Sequence, residues 1–95
     1  MQLNKNMKES FKKWLIKNNY SENTVNSYTS ALNQISGDLS EKMNSEINLY
    51  KIDNLSIIAK FSELYDKTGN FSEFGERGNG TVRNAIRRYF EFLID

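Results

Sequence analysis

Ninety-five residues allow one domain: a chain this long buries only roughly 60–65% of the surface its unfolded form exposes, so a second core does not fit. Hydrophobic residues at 38% and charged residues at 26% are ordinary for a soluble globular domain. With no cysteine and no histidine, the sequence excludes disulfides, thiolate nucleophiles, cysteine or histidine metal sites and histidine acid–base catalysis, and its net charge of +1 conceals basic ends around an acidic middle.

The charge layout is uneven. Lys5, Lys8, Lys12, Lys13 and Lys17 against Glu9 and Glu22 give residues 1–36 a net +3. Four lysines against eight acids give residues 37–76 a net −4, and four arginines against Glu91 and Asp95 give residues 77–95 a net +2. Asymmetry of this kind bears on partners more than on fold. No apolar run approaches the roughly 20 residues of a membrane span, and the opening MQLNKNMKES lacks the apolar core of a secretory signal. A cytoplasmic chain with no membrane partner is expected.

No proline interrupts the chain, which suits helices throughout. The first helix is predicted from about Asn6 to Asn18, with Met7, Phe11, Trp14 and Leu15 on one stripe and Glu9 four residues ahead of Lys13. Asn18 and Asn19 suit the left-handed residue that ends a helix. The second helix opens on Ser21 as N-cap with Glu22 in its first turn, buries Val25, Tyr28, Leu32 and Ile35 with Ala31 beside them, and is predicted to end at Gly37. Its outer face (Asn23, Thr24, Asn26, Ser27, Ser30, Asn33 and Gln34) carries no charge.

Residues 38–48 read either as a short amphipathic helix, from Leu39, Met43 and Ile47 four apart, or as a surface connection. Leu49–Ile52 reads as briefly extended. Asp53 or Asn54 then caps a third helix over about Leu55–Lys67, whose inner stripe is Leu55, Ile58, Phe61, Leu64 and Tyr65. Gly69 and Asn70 stop it, and Phe71 and Phe74 are expected in a loop, folded back as hydrophobic plugs. The last helix is predicted to open on Thr81 as its cap, with Val82, Ala85, Ile86, Tyr89, Phe90 and Leu93 on its buried face. Four or five short helices in a compact orthogonal all-α bundle is the expected architecture, as one domain over residues 1–95. The chain stops one residue after an apolar helix, which suits a trimmed boundary in a larger protein.

Three features are candidates for recognition. Lys12, Lys13 and Lys17 with Arg83, Arg87 and Arg88 are able to neutralise phosphates, and the guanidinium fork matches phosphate oxygens; the same charges also read as solvated helix exteriors. On the second helix, amide and hydroxyl groups such as Asn23, Asn26, Ser27 and Ser30 are able to bond base edges or phosphates with no charge to desolvate, although 13 asparagines and 10 serines would place such groups on any exposed surface. In Arg77-Gly78-Asn79-Gly80-Thr81 two glycines flanking an asparagine let the backbone bend freely just before a helix N-terminus, which reads as an anion site beside Arg77 or as a tight turn that needs positive φ and has no ligand. The acidic residues show no EF-hand or glycosidase spacing and read as a solvated side.

Phe11-x-x-Trp14-Leu15 followed by Ser21-x-Asn23-Thr24-Val25-x-Ser27-Tyr28-x-x-Ala31-Leu32 resembles the N-terminal SAM-like (core-binding) domain of tyrosine recombinases and phage integrases. Arg77-Gly78-Asn79-Gly80-x-x-x-Asn84-Ala85-x-x-x-Tyr89-x-x-Phe92-Leu93 resembles a similar N-terminal module of bacterial restriction endonucleases of modified-cytosine-dependent and HNH types. The resemblance implies a helical module that helps clasp double-stranded DNA while a catalytic domain, in the same chain or a partner subunit, does the chemistry. By position it brings Ser21, Asn23, Thr24 and Ser27 to the DNA. The recombinase Arg-His-x-x-Arg motif needs a histidine that this chain lacks.

The expectation is therefore a non-catalytic DNA-binding module with no metal and no cofactor. It would contact DNA through Lys12, Lys13, Lys17, Ser21, Asn23, Thr24, Ser27, Arg77, Asn79, Arg83, Arg87 and Arg88. The alternative is a protein-interaction or oligomerisation module using the acidic centre with Phe71 and Phe74. The DNA reading requires that folding bring the N-terminal lysines and C-terminal arginines to one side, with no carboxylates threaded among them.

Overall fold

A computed structural model describes residues 6–95. The described chain is all helical: α1 (Lys8–Lys17), α2 (Glu22–Lys42), a 3₁₀ turn at Leu49–Lys51, α3 (Leu55–Tyr65), α4 (Ser72–Gly75) and α5 (Arg77–Ile94). It forms a slab of 36 × 32 × 19 Å, which is about two helix diameters thick. Helix α5 is the hub, and both α2 and α3 pack chiefly on it. The small all-α bundle expected from the hydrophobic spacing is what forms.

Helices α2 and α3 begin where the sequence supplies a side-chain cap. Ser21 Oγ accepts from the Thr24 N–H at 3.2 Å at the start of α2, and Asn54 Oδ1 accepts from the Ile57 N–H at 3.1 Å at the start of α3. Between α1 and α2, Asn19 takes φ 70°, the left-handed conformation that ends the first helix. The core joins Phe11 and Leu15 of α1, Leu32, Ile35 and Leu39 of α2, Ile58 of α3 and Ala85, Ile86 and Tyr89 of α5, all fully buried. Burying each large apolar side chain contributes roughly 1.5–3 kcal/mol. Three buried tyrosines find acceptors: Tyr50 donates to the Thr29 carbonyl at 2.9 Å, Tyr89 to the Leu49 carbonyl at 3.0 Å, and Tyr65 to Asp38 Oδ2 at 2.6 Å.

Helix α2 does not end at Gly37. It runs 21 residues to Lys42, and the left-handed residue after it is Asn44 at φ 49°. Gly37 lies on the exposed face, where the helix needs nothing from its missing side chain, while Leu39 carries the buried stripe one turn further. Serines then lock the following connection to the helix. Ser40 Oγ accepts from the Ile47 N–H at 2.9 Å, and Ser36 Oγ accepts from the Leu49 N–H at 3.0 Å while donating to the Leu32 carbonyl. The segment 38–48 is thus a helix end plus a tied-down connection. Leu49–Ile52 is not extended: the 3₁₀ turn there, capped by Asn48, sends both Leu49 and Tyr50 into the core.

Phe71 and Phe74 do pack inward, their rings 5.4 and 5.8 Å from that of Tyr65, but Phe74 sits in the short helix α4 and not in a loop. Leu55, expected in the buried stripe of α3, is 41% exposed. The α3 helix stops at Tyr65, ahead of the predicted Lys67.

Candidate functional site

The turn that opens α5 sets the geometry of the candidate site. Gly78, Asn79 and Gly80 are all left-handed, at φ 63°, 58° and 87°. Two glycines and an asparagine are the residue types that enter this region at least cost. The Thr81 hydroxyl donates to the Gly78 carbonyl at 2.6 Å, and the Gly80 N–H donates to the Glu76 carbonyl at 2.9 Å. Thr81 is therefore not the N-cap that its position suggested, since its hydroxyl ties the turn and does not accept from the helix. The right-handed helix continues from Thr81.

Helices α2 and α5 run antiparallel along one seam. At one end Tyr20, just ahead of α2, accepts a long 3.4 Å contact from Arg88 Nη1. At the other, Ser27, Ser30, Ala31 and Gln34 of α2 face Arg77, Gly78, Thr81 and Val82 across a cleft of about 270 Å³. Two sequence features separated by some fifty residues, the uncharged face of α2 and the glycine turn, thus meet. Asn23, Asn26, Ser27, Ser30, Asn33 and Gln34 are all exposed along α2, with no charge from Asn23 to Gly37. Ser21 and Thr24 are occupied in capping; their hydroxyls also bond each other at 3.0 Å.

The four arginines of the C-terminal segment divide. Arg83 Nη1 reaches Glu76 Oε2 at 2.5 Å with its side chain only 11% exposed. That guanidinium lies across Gly80, where a Cβ would fall 2.6 Å from Nη2, so the ion pair braces the left-handed turn from outside. Arg87 Nη2 reaches both oxygens of Asp66, at 2.7 and 2.9 Å, and joins the end of α3 to α5. This contact, followed by the Lys67 backbone N–H, holds the Asp66 carboxyl below the ordinary aspartate value of 3.8. Arg88 Nη2 lies 3.1 Å from Glu91, while its Nε is buried with no hydrogen-bond partner among the described residues. Among the described residues, Arg77 is the arginine with no carboxylate in ion-pair range. It is exposed, and its guanidinium carbon lies 4.1 Å from the centre of the Phe74 ring.

Lys12, Lys13 and Lys17 likewise form no ion pair among the described residues, and the expected Glu9–Lys13 pair is not closed. Lys13 and Lys17 are exposed one turn apart on α1, which leads directly into the start of α2. Lys5 lies outside the described residues. The single cationic cradle that sequence reasoning required is therefore not what folding builds. Carboxylates take Arg83, Arg87 and Arg88, whereas Arg77 and the uncharged α2 ridge come together free of them.

Sequence reasoning missed Gln34 as a lining residue of this cleft, and missed Lys42. Lys42 Nζ lies 4.2 Å from the Phe71 ring centre and 2.6 Å from Asp38 Oδ2. The signal for it was the Leu32–Ile35–Leu39 stripe, which continues the helix past Gly37 and carries its outer face to Lys42. Among the described residues no group of three or more acidic side chains is placed to hold a metal ion, and no helix is long and apolar enough to cross a membrane. No protein-family model, no curated protein and no solved structure matches the chain.

Proposed function

We propose that this chain is a non-catalytic helical module that contacts double-stranded DNA along the α2–α5 seam and serves a catalytic domain elsewhere in the same chain or assembly. The cationic cradle that this reading first required is lost to Glu76, Asp66 and Glu91, so the reading rests instead on Arg77 and the α2 ridge, together with the resemblance to the SAM-like domains of recombinases and to the N-terminal modules of restriction endonucleases. The observation that carries it is the exposed, uncharged ridge of α2 closed at one end by Arg77, an arginine with no carboxylate partner among the described residues. Short amide and hydroxyl groups suit a groove edge or a phosphate row because nothing charged has to be desolvated. Lys13 and Lys17, exposed where α1 hands over to α2, supply further phosphate contacts.

The test is a titration of short duplex DNA at several salt concentrations. With Lys13, Lys17 and Arg77 as contacts, the logarithm of the association constant should fall against the logarithm of salt with a slope of about −3. No binding at low salt, or binding insensitive to salt, would refute the reading.

A second reading, a protein-interaction module, rests on a different surface. Ala59, Ser62, Phe90 and Ile94 line a groove of about 380 Å³ between α3 and α5, and Ile94 is 56% exposed. A stable dimer in sedimentation together with no DNA binding would favour it.

A further inference from the structure

The cations over Phe71 and Phe74 lie beside the α2–α5 seam and share Arg77 with it. Both rings press inward on Tyr65, and their outer sides carry charge. Lys42 Nζ lies 4.2 Å from the centre of Phe71 and 5.5 Å from that of Phe74, and Arg77 stacks 4.1 Å from the centre of Phe74. Together with Asn70 and Glu73 these four residues line an open cleft of about 430 Å³.

Each cation is held before any ligand arrives. Lys42 gives one of its three ammonium protons to Asp38 at 2.6 Å, and Asp38 is itself fixed by the hydroxyl of the buried Tyr65. The Arg77 guanidinium, with its carbon over the Phe74 ring, makes no side-chain hydrogen bond or ion pair among the described residues, so its N–H fork is available to bond two oxygens of one phosphate. Asp38 offsets the charge of Lys42, and Glu73 lines the same cleft, so the local field is weak. What distinguishes the site is that two cations are held over neighbouring rings at one cleft, one of them, Arg77, with no carboxylate partner among the described residues. Arg77 also lines the α2 cleft, so an anion seated here continues the track along α2.

We infer that Lys42 and Arg77 form a clamp for one backbone phosphate of the duplex that lies along α2, with Glu73 as a counter-charge that weakens the hold. The inference rests on the DNA-contact reading above and names where one phosphate sits.

The experiment compares duplex affinity of the unaltered chain with Arg77→Lys, Lys42→Gln and Glu73→Gln, using thermal melts to confirm that each variant folds. Arg77→Lys keeps the charge and loses the fork, so affinity should fall about threefold, less than on full loss of the charge. Lys42→Gln should weaken binding about threefold, and Glu73→Gln should tighten it by about the same factor. A parallel nuclear magnetic resonance titration with inorganic phosphate should shift the Arg77 Nε–H signal and leave that of Arg87 in place.

Duplex binding that all three substitutions leave unchanged would overturn the clamp while the DNA reading stands. No duplex binding by the unaltered chain would overturn both. A phosphate-induced shift at Arg77 without duplex binding would overturn the duplex as the source of the phosphate.

Discussion

The two sides of α5 use arginine differently. Toward α3 and α4, Arg83 and Arg87 each close on a carboxylate, Glu76 and Asp66, and so join the hub helix to its neighbours. Where it faces α2, the start of the same helix presents Arg77, held over Phe74 of α4, beside two serines and Gln34. Arginines on one helix therefore serve as braces or as a free recognition edge according to what packs opposite them. Glu76 and Asp66 offset the charges of Arg83 and Arg87, so the paired side contributes little to an interface with phosphates; Lys42 is paired too, keeps two ammonium protons free, and for that reason contributes less than Arg77.

The largest effect that sharpens this comparison comes from the corner where the braced side closes. A Cβ on Gly75 would fall 2.0 Å from the Tyr65 carbonyl oxygen, a backbone atom that cannot yield. Gly75→Ala should cost about 3 kcal/mol or more in urea unfolding. Gly80→Ala should cost less, about 1–2 kcal/mol: its φ of 87° is strained for alanine, but the atom a Cβ would meet is the mobile tip of Arg83.

Smaller effects follow from pH. Arg87 holds the Asp66 carboxyl below its ordinary value, so the pair stabilises the fold above the unfolded aspartate value and that contribution is lost as pH falls through the lower folded value. Chemical unfolding at decreasing pH should show the loss, and Asp66→Asn should remove that part of the acid dependence. Solvent reaches the pair, so the effect should stay below about 1 kcal/mol. At the alkaline end, burial raises the hydroxyls of Tyr50, Tyr65 and Tyr89 above the ordinary tyrosine value of 10.0. Their stabilisation is intact below that value and is lost as pH rises through the folded values. In an absorbance titration these three should ionise only as the chain unfolds.

Much of the fold was readable because it is local. Ser21 and Asn54 announce helix starts through side-chain caps, and Asn19 announces a stop. The stripes of α1 and α5 follow from 3.6-residue spacing. Gly37 misled because a glycine at a helix end and a glycine on an exposed helical face look the same in sequence; the discriminating fact is whether positive φ is needed, and here Asn44 supplies it. Leu49 and Tyr50 are adjacent and both buried, which a 3₁₀ turn achieves and the alternation of an extended strand does not. The candidate site was half legible. The uncharged ridge and the glycine turn could be read separately, yet their meeting depends on antiparallel packing of α2 on α5. The fates of Arg83 and Arg87 were hidden because the left-handed turn at Gly78–Gly80 breaks the helical spacing of the seven residues between Glu76 and Arg83, and Asp66 lies 21 residues from Arg87.

The most direct measurement of the division between the two sides compares three substitutions that each remove one positive charge. Duplex affinity and melting temperature are read for Arg77→Gln, Arg83→Gln and Arg87→Gln. Arg77→Gln should weaken binding about tenfold and shorten the salt slope by about 1 with melting unchanged, whereas the other two should lower the melting temperature and leave affinity within about twofold. Equal losses of affinity across the three would mean that only net charge matters, and would contradict the account.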